Sequence, residues 1–247
     1  MIAVIARKEL RMLFTSPLAW ILLALIQLIL TWVFLGRLDA FLEIQPQLLQ
    51  IANPPGITEI IISPVFAMAA IVLLMITPLL TMRLLAEERR NHTLVLLISA
   101  PISMSDIVLG KFLGLMIFFL MVISLILVLS VSLLAGGVLD YGLLLTSTIG
   151  LFLISACFAA LGIYISSLTA QPVIAAIGAL GILLGLWIMD LIANDADGWM
   201  QYFSLLKHFE YFNRGLIDTF SVTYFILFIV TFLVLTIRCL DGERLNN

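Results

Sequence analysis

Six long apolar runs constrain this chain of 247 residues more than any other feature. They cover residues 18–36, 61–80, 112–136, 143–168, 172–192 and 222–237, and a helix needs about 20 apolar residues to cross a hydrocarbon core of ~30 Å. Composition agrees: 63% of the residues are hydrophobic and 11% charged, where soluble domains run roughly 45–50% and about 25%. That balance excludes an ordinary cytosolic enzyme, a disordered chain and a secreted disulfide scaffold. Twelve Lys and Arg against fifteen Asp and Glu leave a net charge of −3, so nucleic acid is not an expected partner. Cys157 and Cys239 are too few for a disulfide framework or a Cys-rich metal site. The expected fold is an all-α integral membrane protein: a single transmembrane domain over residues 1–247, with six transmembrane helices in the lipid bilayer.

The charges that remain fix an orientation. With the N-terminus inside, Arg7, Lys8, Arg11, Arg83, Arg89, Arg90, Lys111, Arg238 and Arg244 fall on the inner side, and Arg37, Lys207 and Arg214 on the outer. Inner segments carry the Lys and Arg excess, so both termini are expected to be cytoplasmic. No small-x-small cleavage site follows the first run and five further runs come after it, so the opening is not read as a cleaved signal peptide. The short links 137–142 and 169–171 make antiparallel neighbours of the helices they join.

Two inner segments lie outside the runs. In residues 2–16, Ile2, Ala6, Leu10 and Leu13 share one arc of a helix, with Arg7, Arg11 and Thr15 opposite and Lys8 beside them, before Pro17 breaks the pattern. This reads as an amphipathic interfacial helix with a basic face, the alternative being a frayed basic tail. The cytoplasmic segment 83–111 carries Glu87, Glu88, Arg89 and Arg90, then Leu94, Leu97 and Ile98 at helical spacing, then Pro101. Ser103 and Asp106 have capping-box spacing and open the helix leading into the third run. The second run is expected to continue as a helix into these charges. The segment is either a docking platform with an apolar rib or a solvated reversal of the chain.

The run Ile76-Thr77-Pro78-Leu79-Leu80-Thr81-Met82-Arg83-Leu84-Leu85-Ala86-Glu87-Glu88-Arg89-Arg90, followed by Thr93, Leu97, Pro101 and Asp106-Ile107-Val108-Leu109-Gly110-Lys111, strongly resembles permeases of the type-2 ATP-binding cassette (ABC) transporter family. Within it the gliding-motility-associated permease group is the closest match, and the nitrous-oxide reductase maturation permease is more distant. His92 stands where Gly is usual and Val95 where Glu is usual. Tyr202-Phe203-Ser204, His208-Phe209-Glu210, Arg214 to Asp218 and Tyr224-Phe225 extend the resemblance to the outer segment before the sixth run.

The resemblance implies a permease subunit in a bacterial cytoplasmic (inner) membrane, working as a homodimer or heterodimer with a separate cytoplasmic ABC ATPase. It also implies that Glu87, Glu88, Arg89, Arg90, Thr93, Leu97 and Pro101 form the ATPase-coupling surface. The chain has no Gly-x-x-x-x-Gly-Lys-Ser/Thr phosphate loop, because Ser105 stands five residues before Gly110. ATP and Mg are therefore expected in the partner ATPase, with no cofactor or metal held by this chain. No catalytic residues are expected, since neither His-Glu-x-x-His nor Gly-x-Ser-x-Gly occurs and no histidine lies in any span to activate Ser155 or Cys157.

The expected function is an exporter permease. The alternative is a subunit that passes ATP-driven motion to an extracytoplasmic partner, such as a membrane-anchored auxiliary protein, without moving a solute. Gly178, Gly181 and Gly185 suit close helix packing, against this chain or another protomer, and Gly110-x-x-x-Gly114 has the same spacing. Asp190 is either a functional carboxylate near the outer end of the fifth span or a residue facing water. The outer segment 194–220, with Trp199, Tyr202, Phe203, Phe209, Tyr211 and Phe212, suits a membrane boundary as anchor or gate.

Overall fold

The computed structural model describes residues 1–48, 56–91, 93, 103–135, 139–193 and 204–246. It is all-helical, about 90% helix, with no strand among the described residues. Helix α1, Ile2–Thr15, ends at a corner where Ser16 is extended and Pro17 starts α2, Pro17–Leu48. Proline suits that first helical position because its missing N–H needs no partner there. The Trp20 indole N–H donates to the Phe14 carbonyl across the corner at 3.0 Å. A π-helical turn, Thr58–Ile62, leads into α3, Ser63–Thr81. A short helix, α4, Ala86–Arg90, follows a turn. Then come α5, Met104–Ser132; α6, Tyr141–Leu168; α7, Pro172–Ala193; α8, Leu205–Asn213; and α9, Thr219–Asn246.

Three of these starts are set by side-chain caps that satisfy free N–H groups of the first turn. Ser103 Oγ accepts from the Asp106 N–H at 3.1 Å. Asp140 Oδ1 accepts from Gly142 and Leu143 at 2.9 and 3.2 Å, and Ser204 Oγ accepts from Lys207 at 3.2 Å. The cap spacing read at Ser103 and Asp106 is the one observed.

Six helical segments are long and apolar enough to cross a membrane. Those containing α3 and α6 form the centre, with 61% and 67% of their most apolar stretch buried, against 28% for α2, 17% for α7 and 22% for α9. Small residues on α6 allow the centre to close: Ser155, Ala159, Ala160 and Ser166 are fully buried. The outer helices turn large apolar side chains such as Trp32, Ile177 and Leu227 outward, as a lipid-facing or partner-facing surface does.

The helices outrun the apolar runs. Helix α2 passes Arg37 and continues to Leu48, α5 begins eight residues before the third run, at Met104, and α9 passes Arg238. A charge ends a stretch that lipid can cover, but it does not end the backbone ladder that makes a helix. One expectation needs correcting. The second span does not run unbroken into its charged extension, because Met82–Leu85 is a turn between α3 and α4.

Candidate functional site

Helix α1 lies against the start of α5, and two glycines set the distance. A Cβ placed at Gly110 would sit 2.7 Å from the Ile5 Cβ, and one at Gly114 would sit 3.0 Å from the Glu9 Cβ and 3.2 Å from the Ala6 carbonyl oxygen. Larger side chains there would lift α1 off. The close approach brings Glu9 over Lys111, whose Nζ donates to Glu9 Oε1 at 2.7 Å. Lys111 also pairs with Glu88 Oε1 at 2.8 Å. One ammonium thus joins α1, α4 and α5.

All three groups are withdrawn from water, with side-chain exposures of 1% for Lys111, 4% for Glu9 and 13% for Glu88. Two carboxylates around one ammonium leave an excess negative charge. Lys8 partly offsets it, its Nζ 3.9 Å from Glu88 Oε1 and its side chain half exposed. Removing one member of a buried ion pair costs about 3–5 kcal/mol because the partner is left uncompensated. The three helices are therefore bound as one unit at this end of the bundle.

A second contact fastens α4. The Leu85 and Ala86 N–H groups, freed by the turn, both donate to Ser166 Oγ at 3.3 and 3.1 Å, and that hydroxyl donates to the Met82 carbonyl at 3.3 Å. Ser166 is the last buried turn of α6, so α4 is tied to the central helix as well as to α1 and α5. Leu84, Leu85 and Ala86 are buried beneath it.

The structure gathers part of the residue set drawn from the sequence. Glu87, Glu88, Arg89 and Arg90 are all on α4, with Arg90 exposed and the other three half-buried. Thr93 is exposed, and its hydroxyl donates to the Glu88 carbonyl at 3.2 Å. Arg89 and Arg90 border a cavity of about 460 Å³ shared with Gln171 and Pro172 at the α6–α7 link. Leu97 and Pro101 lie outside the described residues, as do Leu94 and Ile98. On α1, Arg7, Lys8 and Arg11 are exposed on the side away from buried Ala6 and Glu9.

Gly178 on α7 approaches Ile165, but a Cβ at Gly181 or Gly185 would meet nothing within 4 Å. These two glycines thus make no close contact within the chain among the described residues. Asp190 is in α7, with its side chain outside the description.

The Glu9–Lys111 pair is not among the residues that the sequence singles out. Glu9 falls in the same helical arc as Ile2, Ala6 and Leu13, at about 100° per residue. A carboxylate centred on an apolar arc signals a buried partner. Lys111 stands immediately before the third apolar run, with Gly110 beside it and Gly114 one turn on marking a close helix approach.

The opposite end has its own polar anchors. Asn213, ending α8, donates from Nδ2 to the Ser63 carbonyl at 2.8 Å and accepts from Ser147 Oγ at 3.2 Å. His208 Nδ1 lies 3.0 Å from Ser221 Oγ, which donates to Asp218 Oδ2 at 3.3 Å. With Ser221 fully buried and in the middle of the chain of hydrogen bonds, this cluster fastens α8 to α9 rather than presenting a nucleophile to a base. Among the described residues no group of three His, Cys, Asp or Glu side chains is placed to hold a metal ion.

A family model described as ABC-2 family transporter protein matches residues 3–240. No curated protein matches the chain.

Proposed function

This chain belongs to the ABC-2 family of transporter membrane proteins, and from that premise we propose that it is the membrane-spanning permease subunit of an exporter driven by a separate cytoplasmic ABC ATPase. In this reading it sits in a bacterial inner membrane with both termini cytoplasmic, pairs with a second permease subunit, and leaves ATP and Mg to the ATPase. The end of the bundle carrying α1, α4 and the start of α5 faces the cytoplasm, which agrees with the concentration of Lys and Arg there.

The observation that carries the reading is the buried Glu9–Lys111–Glu88 cluster. An ATPase bound to segment 83–111 moves α4 through the surface of Glu87, Glu88, Arg89, Arg90, Thr93, Leu97 and Pro101. A solvated reversal of the chain would need no buried charges beneath it. Here displacement of α4 is passed to α1 and α5 through Lys111 and to α6 through Ser166, because breaking either connection exposes unpaired polar groups. The basic face of α1, with Arg7, Lys8 and Arg11, rests on anionic headgroups and gives the motion a fixed reference at the membrane surface.

Copurification from the native host, followed by reconstitution of this chain with the ATPase so recovered, tests the proposal. The expected result is ATP-dependent outward movement of a substrate from a candidate panel. ATP turnover with nothing moved, together with a recovered membrane-anchored auxiliary protein, would replace export by mechanical transmission.

A further inference from the structure

We propose that an anionic phospholipid binds between α4 and the start of α7, with its phosphate on Arg83 and Arg90 and its acyl chains along the outer face of α7. Two adjoining cavities meet there, of about 460 and 320 Å³, and Arg90 and Pro172 border both. Their walls carry Arg83, Arg89 and Arg90 against a single carboxylate among the described residues, Glu87. That imbalance selects an anion.

Arg83 and Arg90 are the two groups that hold it. Both are exposed, and neither forms an ion pair among the described residues. A guanidinium matches phosphate oxygens in a bidentate fork. A zwitterionic headgroup brings a further cation to a wall already in cationic excess, whereas a headgroup with net negative charge does not.

The apolar half of the ligand follows from α7. Val173 lines the larger cavity, and Val173, Ile174 and Ile177 are exposed while Ala175 and Ala179 are buried. The helix therefore turns an apolar strip outward directly from its cationic end. A soluble acidic group would neutralise the arginines and leave this strip bare; a lipid covers both. Arg83 follows the apolar run that ends at Leu80, and Pro172 opens α7, so the cations stand where headgroups begin. Which leaflet supplies the lipid rests on the orientation given under the proposed function: with α4 cytoplasmic, it is the inner one.

Photolabelling of the full chain in detergent, by phosphatidylglycerol with a diazirine in its acyl chain, tests it. The label is expected on Val173, Ile174 or Ile177. Unlabelled phosphatidylglycerol is expected to suppress it at about one-tenth the concentration of phosphatidylcholine, within what two cations near a headgroup supply. Arg83→Gln/Arg90→Gln is expected to bring the two competitors level, whereas Arg7→Gln/Arg11→Gln on α1 leaves the difference in place. Arg83→Lys/Arg90→Lys keeps both charges and is expected to keep most of the difference, which separates lost charge from a misfolded chain. Glycerol phosphate, lacking acyl chains, is expected not to compete. Equal competition by the two lipids in the wild type, no label on these three residues, an unchanged difference in the Gln pair, or competition by glycerol phosphate would each overturn the assignment. An impermeant maleimide reads the leaflet separately, on Arg11→Cys in a Cys239→Ser background. Reaction only in opened spheroplasts places this end inside. Reaction in intact spheroplasts overturns the orientation and the inner-leaflet source, while the photolabel alone decides the lipid site.

Discussion

Lys111, buried at the start of the third membrane helix, holds the Glu9 carboxylate of the N-terminal helix at 2.7 Å across 102 residues of sequence. The same ammonium holds Glu88 at 2.8 Å. Lys111→Met leaves two largely buried carboxylates without their shared cation, and is expected to destabilise the protein by about 3–5 kcal/mol. Adding Glu9→Gln is expected to recover part of that loss, because the second substitution removes one of the stranded charges. Thermal unfolding of the singles and the double in detergent reads the coupling. Strict additivity would mean that the pair is not energetically linked.

The glycine seam beneath α1 gives a steric prediction. Gly110→Val pushes into Ile5 and the Ile2 carbonyl, and is expected to cost about 1–3 kcal/mol, the usual range for overpacking a tight contact. Proteolysis at the α1–α2 corner around Ser16 should then become faster. Unchanged stability and cleavage would show that α1 does not depend on that approach.

Gly181 and Gly185 are predicted to behave in the opposite way. Both open onto space in the single chain, so Gly181→Val should leave unfolding of the monomer within about 0.5 kcal/mol, as for surface changes. If α7 packs against a second permease subunit, the same change should weaken self-association in crosslinking or single-molecule counting. A large drop in monomer stability would place a helix of this chain against that face instead.

Ser166 offers a fourth test, independent of charge. Ser166→Ala strands the Leu85 and Ala86 N–H groups in the turn between α3 and α4. A buried donor left unmade costs about 1–3 kcal/mol. Amide exchange at these two residues should accelerate more than exchange in the middle of α6. Equal protection in both proteins would mean that the hydroxyl does not hold the turn.

Much of the architecture is legible in the chain because lipid imposes a simple demand: six apolar lengths of about 20 residues give six helices. The Ser103 cap is legible for a similar reason, since its partner is three residues away. Helix ends are less so. Arg37 and Arg238 end apolar runs without interrupting backbone hydrogen bonding, so α2 and α9 continue past them. The turn at Met82–Leu85 is hidden because its stabilising partner, Ser166, lies some 80 residues on. Glu9 and Lys111 are hidden likewise, for no local period links two residues on different helices. The acidic and basic residues of α4 stand out by charge alone, but which of them faces inward depends on where Lys111 arrives.

The central claim is that segment 83–111 receives the motion of an ATPase, and the double reversal Arg89→Glu/Arg90→Glu tests it most directly. Membrane insertion and the amount of protein are expected to match the wild type, while copurifying ATPase and ATP hydrolysis coupled to this chain are lost. Recovery of the ATPase at wild-type stoichiometry and activity with the reversed protein would contradict the account.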